Sequence, residues 1–189
     1  MKEKTNKSRK IIKSTRDMAY IALFVAVNAV CAWITIPSTI PFTMQTFGIF
    51  FTLNALGGKK GAAAVSIYIL LGIAGAPVFS GFKGGIGAIM SATGGYIIAF
   101  LAAAAIYAAI TAISDKAAVR IASCFLGLII CYAFGTLWFV YVFGKGTGSF
   151  VSALTICVVP FVIPDTIKII LAFLASKKLM YSSGKDTKK

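Results

Sequence analysis

No charged residue occurs between Asp17 and Lys59, between Lys60 and Lys83, between Lys83 and Asp115, or between Arg120 and Lys145. Uncharged runs of this length do not fit the core of a soluble domain. They match the ~20 apolar residues that a helix needs to cross a hydrocarbon layer about 30 Å thick. With 59% hydrophobic residues and a mean hydropathy of +0.90, the chain of 189 residues reads as an integral membrane protein. Candidate spans fall at roughly 18–36, 42–56, 61–76, 94–113, 119–143 and 151–175. They are rich in Ala, Leu and Ile and lack a period-2 alternation, which indicates helices rather than barrel strands. The expected fold is an all-α integral membrane protein with six transmembrane helices.

The net charge of +14 raises the question of nucleic acid, but its distribution answers it. Lys2, Lys4, Lys7, Arg9, Lys10, Lys13 and Arg16 precede the first span, and Lys177, Lys178, Lys185, Lys188 and Lys189 follow the last. Lys59 and Lys60 fall in the second-to-third connection, and Lys116 and Arg120 in the fourth-to-fifth. Only Lys83 and Lys145 fall on the opposite side. The excess of cations on cytoplasmic connections predicts six crossings with both termini cytoplasmic. Attraction to anionic lipid then explains the basic tails, and no nucleic-acid partner is expected. The domain reading is a cytoplasmic basic tail at 1–17, one membrane domain at 18–176, and a second basic tail at 177–189. The first span is longer than a signal-peptide core and lacks a clear cleavage pattern, so it reads as a retained helix.

Histidine is absent, and Cys31, Cys124, Cys131 and Cys157 sit in or beside spans without a CxxC spacing. They read as small apolar packing residues, with no metal site, disulfide framework or cofactor indicated. Neither a GxxxxGK[ST] sequence nor its strand–loop–helix setting is present, so ATP chemistry would belong to other subunits.

Residues 76–93 interleave Gly81, Gly84, Gly85 and Gly87 with Phe79, Phe82 and Ile86. By the charge distribution this connection faces outward. Its glycines permit movement and its aromatics offer apolar cover, as expected of a loop folding over a ligand entrance.

Asp165 and Lys168 stand three residues apart within the last apolar run. Each ion at the bilayer centre costs ~2.5–3.5 kcal/mol on the most lenient scale, so an embedded pair marks a functional site. On a helix the two side chains leave one face, about 5–6 Å apart at Cβ. Pro164 is suited to the first turn of a helix, which predicts that Asp165 lies in an N-terminal turn and gains from the positive end of the dipole. At 1.5 Å per residue Asp165 is roughly 17 Å from Ser176, near the midplane, with a cavity opening outward. In the second span Thr43 and Gln45 lie at the outer end, and Gln45 and Thr52 share a face. For these, ligand contact and interhelical hydrogen bonding are equal alternatives.

These residues together resemble the BioY family, the biotin-specific substrate-binding component of energy-coupling-factor (ECF) transporters. The resemblance rests on the Pro41–Gly48 octapeptide PFTMQTFG, on Thr93-Gly94-Gly95-Tyr96, on Tyr132, Gly135 and Trp138, and on Pro164-Asp165-Thr166-Ile167-Lys168. Ala92 stands where the family usually carries proline. The resemblance implies a protein of a prokaryotic plasma membrane that captures biotin and docks on a transmembrane coupling subunit driven by two ATPase subunits. It implies substrate contacts from Asp165, Lys168, Gln45, Thr43, Phe79, Thr93, Gly94 and Tyr96. It also implies docking through small residues of the first helix, here Ala22 and Ala26, although packing against the protein's own helices accounts equally for a stripe of Ala22, Ala26 and Ala29.

Biotin carries a compact ureido head and a carboxylate on a flexible arm. The close Asp165–Lys168 pair suits the head, with Lys168 donating to the carbonyl and Asp165 accepting an N–H; the reverse orientation brings Asp165 against the carboxylate. Candidate donors to the carboxylate are Thr93, the backbone N–H groups of Gly94 and Gly95, Tyr96 and Lys83, with no choice among them. Alternatives are a binding component for thiamin or riboflavin, a membrane enzyme, or a small channel or scaffold. The absence of histidine and of any nucleophile–base pair disfavours the enzyme.

Overall fold

The structure, a computed structural model, describes residues 15–37, 41–143 and 150–186. Most of the first basic tail, Ser38 of the first outer turn, Lys145 and the last three residues lie outside the described residues. In chain order the elements are α1 (Thr15–Trp33), β1 (Thr35–Ile36), β2 (Phe42–Thr43), α2 (Gln45–Leu56), α3 (Gly58–Ile73), a 3-10 turn (Ser80–Phe82), α4 (Ile86–Ile89), α5 (Gly94–Ile113), α6 (Ala117–Phe143), α7 (Phe150–Cys157) and α8 (Val159–Asp186).

Among the described residues, four helices are long and apolar enough to cross a membrane: α1, α5, and the Ala117–Val142 and Val159–Leu179 parts of α6 and α8. Their outward faces carry large apolar side chains, among them Leu23, Val30, Ile129, Leu137, Leu171 and Leu174, all exposed. Water would penalise such a surface, whereas lipid tails solvate it. The molecule is thus an all-helical membrane protein; among the described residues a two-residue antiparallel ribbon pairs Thr35 with Thr43 and Ile36 with Phe42.

Three expectations change. The second span forms a shorter helix, of 12 residues, and the third a helix of 16 residues that starts and ends three residues earlier than expected; the two meet at Gly57, whose φ of +79° suits glycine in so abrupt a reversal. The sixth span is broken at Val158 into α7 and α8. Finally, α8 begins at Val159, with Pro160 in its opening turn and Pro164 inside the helix. Asp165 therefore lies in the second turn rather than the first, where the N-terminal dipole no longer accounts for it.

The core is built where α2 is enclosed by α1, α3, α5 and α8, with Ile49, Phe50, Leu53, Tyr68, Ala103 and Ile169 fully sequestered. Polar groups join the helices there. Asn28 Nδ2 donates to Thr52 Oγ1 at 3.0 Å, and Tyr107 Oη donates to Asn54 Oδ1 at 3.0 Å. Without water, side-chain amides and hydroxyls must find such partners within the bundle. At one end, Lys60 pairs with Asp17 at 2.7 Å and Arg120 reaches Asn54 O at 3.3 Å, which gathers the start of α1, the α2–α3 reversal and the α5–α6 connection. The candidate site lies at the opposite end.

Candidate functional site

A cavity of about 410 Å³ opens between β1, β2, α2, the 79–97 region, α6, α7 and α8. That is the size range of a site for one small molecule, about 300–1,000 Å³. Asp165 and Lys168 stand on its wall with only 4% and 5% of their surfaces exposed.

Lys168 Nζ donates to Asp165 Oδ1 at 2.8 Å and to the backbone oxygen of Thr43 at 2.7 Å. It also sits 3.9 Å from the centre of the Phe42 ring, a cation–π contact. The ribbon exists in part to make this possible: its two pairs fold residues 42–43 back over α8, so a main-chain carbonyl reaches an ion that would otherwise have one partner. Asp165 Oδ2 accepts a hydrogen bond from Tyr132 Oη at 2.8 Å. Each ion is therefore doubly satisfied, which a buried pair requires if it is not to be strongly destabilising. An ammonium has three N–H donors and each carboxylate oxygen two acceptor positions, so both retain capacity toward the cavity.

Gln45 is oriented by a chain of hydrogen bonds. Tyr68 has one hydroxyl proton, and it goes to Val78 O at 3.1 Å. The Tyr68 oxygen must then accept from Gln45 Nε2, at 2.9 Å. This fixes the amide so that Oε1, which accepts no hydrogen bond from the described residues, is left to a ligand. Thr43 Oγ1 accepts from the backbone N–H of Gln45 at 3.2 Å. Thr52, by contrast, is withdrawn from the cavity: it accepts an interhelical bond from Asn28 of α1 and donates to Gly48 O of its own helix at 2.8 Å.

Of the residues expected from sequence, Thr43, Gln45, Phe79, Thr93, Tyr96, Asp165 and Lys168 all line this one cavity. Gly94 does not. It is buried where α5 passes under α4, and a Cβ there would lie 1.6 Å from Ile89 O. The neighbouring glycines serve the α5–α6 seam: a Cβ on Gly95 would meet Trp138 Cβ at 2.2 Å, and one on Gly135 the Tyr96 ring at 2.3 Å. Phe79 is 2% exposed, seated over Gly72 and edge-on to Tyr68, so it touches the cavity from a fixed position. Phe82 turns away and stacks on Trp33 at 4.9 Å. Ala22 and Ala26 face out of the bundle, while Ala29 faces in.

Sequence reasoning missed the service of Tyr132 to Asp165 and of Tyr68 to Gln45, and the presence of Ser91, Cys131, Cys157 and Phe161 on the wall. A tyrosine in mid-span was the available signal for the first two, because its hydroxyl must find a partner. All four cysteines are buried and free.

A model of the BioY family matches residues 1–184. The biotin transporter BioY of Thermotoga maritima is 37% identical over 165 residues, covering 87% of this chain and 95% of its own length. The probable biotin transporter BioY of Pyrococcus horikoshii is 36% identical over 165 residues, covering 87% and 96%. The fold is that of the crystal structure of an S-component for biotin from an ECF-type ABC transporter, with a TM-score of 0.77 at 24% identity over 88% of this chain and 91% of that one.

Proposed function

The chain belongs to the BioY family, and from that premise we propose that it is the biotin-binding S component of an ECF transporter. It captures biotin outside a prokaryotic plasma membrane and works with a transmembrane coupling subunit and two ATPase subunits. The membrane domain, 18–176, crosses six times between cytoplasmic basic tails. The α2 and α3 helices are roughly 18 and 24 Å long, and make two of the crossings with the ribbon and the 74–93 segment completing them at the outer end.

The observation that carries this reading is the buried Asp165–Lys168 pair beside the open Gln45 Oε1. A cyclic urea offers one carbonyl acceptor between two N–H donors. Lys168 supplies its remaining N–H to the carbonyl, and Asp165 and Gln45 Oε1 accept the two N–H groups. Thr43, held against Lys168 through its backbone, Tyr96 and Thr93 shape the wall, and Phe79 supplies apolar contact. Water leaving the cavity strengthens each polar contact made there. The outward-facing Ala22 and Ala26 give the coupling subunit a place for close helix approach.

Titration of the purified protein with biotin, thiamin and riboflavin tests this. Saturable one-to-one binding of biotin alone is expected. Selective binding of thiamin or riboflavin would assign the cavity to another vitamin, and binding of none would contradict the proposal.

A further inference from the structure

We infer that Asn28 is a positioning residue for transport: the junction it makes with Thr52 and Gly48 is where the partner-facing helix α1 slides against the ligand-bearing helix α2, and the slide loosens the hold on Lys168. The inference rests on the reading that biotin fills the cavity and that α1 docks on the coupling subunit. Asn28 is fully buried, and among the described residues its Oδ1 is the buried side-chain polar atom left without a hydrogen-bond partner. The surroundings fix the amide this way round, because Nδ2 donates to two oxygens, Phe24 O at 2.8 Å and Thr52 Oγ1 at 3.0 Å. Turning the amide over would set Oδ1 against the Phe24 oxygen. Oδ1 lies instead against Gly48, where a Cβ would come within 3.0 Å of it and 2.9 Å of Cys31 Cβ. An acceptor buried without a donor loses its hydration and gains nothing, so the α1–α2 contact leaves a hydrogen bond unmade.

The donor that completes it is at hand. The Thr52 hydroxyl gives its proton to Gly48 O at 2.8 Å, an oxygen that the backbone ladder of α2 already serves. Giving up that bond strands no group, and a shift of α1 along α2 turns the hydroxyl to Asn28 Oδ1 instead. The rest of the seam permits the shift. Gly48 faces the small Cys31, and Phe24 meets Phe51 as tilted rings with centroids 5.3 Å apart, a contact without directional bonds. Packed helices of this kind move between discrete arrangements rather than deforming continuously.

α1 connects this junction to both the partner and the ligand. Ala22 and Ala26 are exposed on its outer face, and Ala26 lies about 200° around the helix from Asn28. At its outer end α1 runs into the ribbon, where the N–H of Met44 donates to Ile34 O at 3.0 Å and Thr35 pairs with Thr43. The Thr43 oxygen receives Lys168 Nζ at 2.7 Å, so a displacement of α1 is carried through the ribbon to the cation of the site. A partner that binds the shifted α1 therefore weakens the ligand, and the ligand weakens the partner by the same factor.

The test measures biotin affinity by equilibrium binding for the free protein and for the same protein assembled with its coupling and ATPase subunits without nucleotide. The parent, Asn28→Leu and Thr52→Val are compared, and the melting temperature of each free protein is recorded. In the parent, assembly should weaken biotin by at least about fivefold, the low end of ordinary coupling between sites. Asn28→Leu removes the unpaired oxygen, so it should melt no lower than the parent, bind biotin within about twofold of it when free, and show no weakening on assembly. Thr52→Val keeps the shape of the side chain but has no proton to give; it should also lose the weakening, and it decides the matter if Asn28→Leu does not fold. Undiminished weakening in the variants, or equal affinity in the free and assembled parent, would overturn the inference while leaving the biotin reading intact. A parallel fall in melting temperature and free affinity in Asn28→Leu would overturn it too, by reducing Asn28 to packing. Failure of the free parent to bind biotin would overturn both.

Discussion

Tyr132 in α6 donates its hydroxyl proton to Asp165 Oδ2 in α8 across 2.8 Å, while Lys168 occupies Oδ1. The carboxylate is thereby held at both oxygens by groups from two helices, on the wall of the cavity. Removing the hydroxyl with Tyr132→Phe should reduce biotin affinity about tenfold, the lower end of what a hydrogen bond to a charged group contributes. Calorimetric titration measures this. Unchanged affinity would mean that Asp165 is oriented without Tyr132.

The closest approach along the α5–α6 seam is made at Gly95 and Gly135. Gly95→Ala would place a methyl group 2.2 Å from Trp138 Cβ, and Gly135→Ala would place one 2.3 Å from the Tyr96 ring. Overpacking of this kind costs ~1–3 kcal/mol. Each variant should unfold at lower temperature than the parent in the same detergent, and Gly135→Ala should weaken biotin as well, because Tyr96 lines the cavity. Parental melting temperatures for both would contradict the close approach of the helices.

Much of the site was legible because membrane makes polarity informative. Asp165 and Lys168 stand out in an apolar run, and Thr43 and Gln45 mark the outer end of α2. The third partner of the pair was not legible, since it is the backbone oxygen of Thr43, 125 residues away and chemically the same as every other carbonyl. Pro164 was misread as a helix start because Pro160, one turn earlier, already takes that place. Within the Thr-Gly-Gly-Tyr run Thr93 and Tyr96 line the cavity, whereas Gly94 and Gly95 lie where a Cβ would collide with Ile89 O and Trp138, a packing demand that spacing alone does not reveal. For Gln45 and Thr52 the face they share was evident, but only the position of Asn28 separates a cavity residue from an interhelical one.

The 76–93 segment should respond to ligand at its cavity side alone. Ser80 lies on the wall, half-buried, and Ile86 is 69% exposed and off it. A cysteine at Ser80 should react with an impermeant thiol reagent in the empty protein and slow at least several-fold with biotin, while one at Ile86 should be indifferent. Equal labelling at Ser80 with and without biotin would show that ligand does not cover this wall.

Ala22 and Ala26 face away from the bundle, so bulk there should not disturb the cavity. Changing both to Trp should abolish ATP-dependent uptake by the assembled transporter and leave biotin binding within about twofold, because close helix approach needs small residues. Loss of both activities together would place the stripe inside the protein's own packing.

The most direct measurement is the biotin affinity of folded Lys168→Ala protein beside the parent. Without Lys168 the carboxylate of Asp165 remains buried without its cation, and the ligand loses its donor. Breaking such a pair costs ~2–5 kcal/mol, so affinity should fall by at least about thirtyfold. An affinity equal to that of the parent would contradict a biotin site built on the Asp165–Lys168 pair.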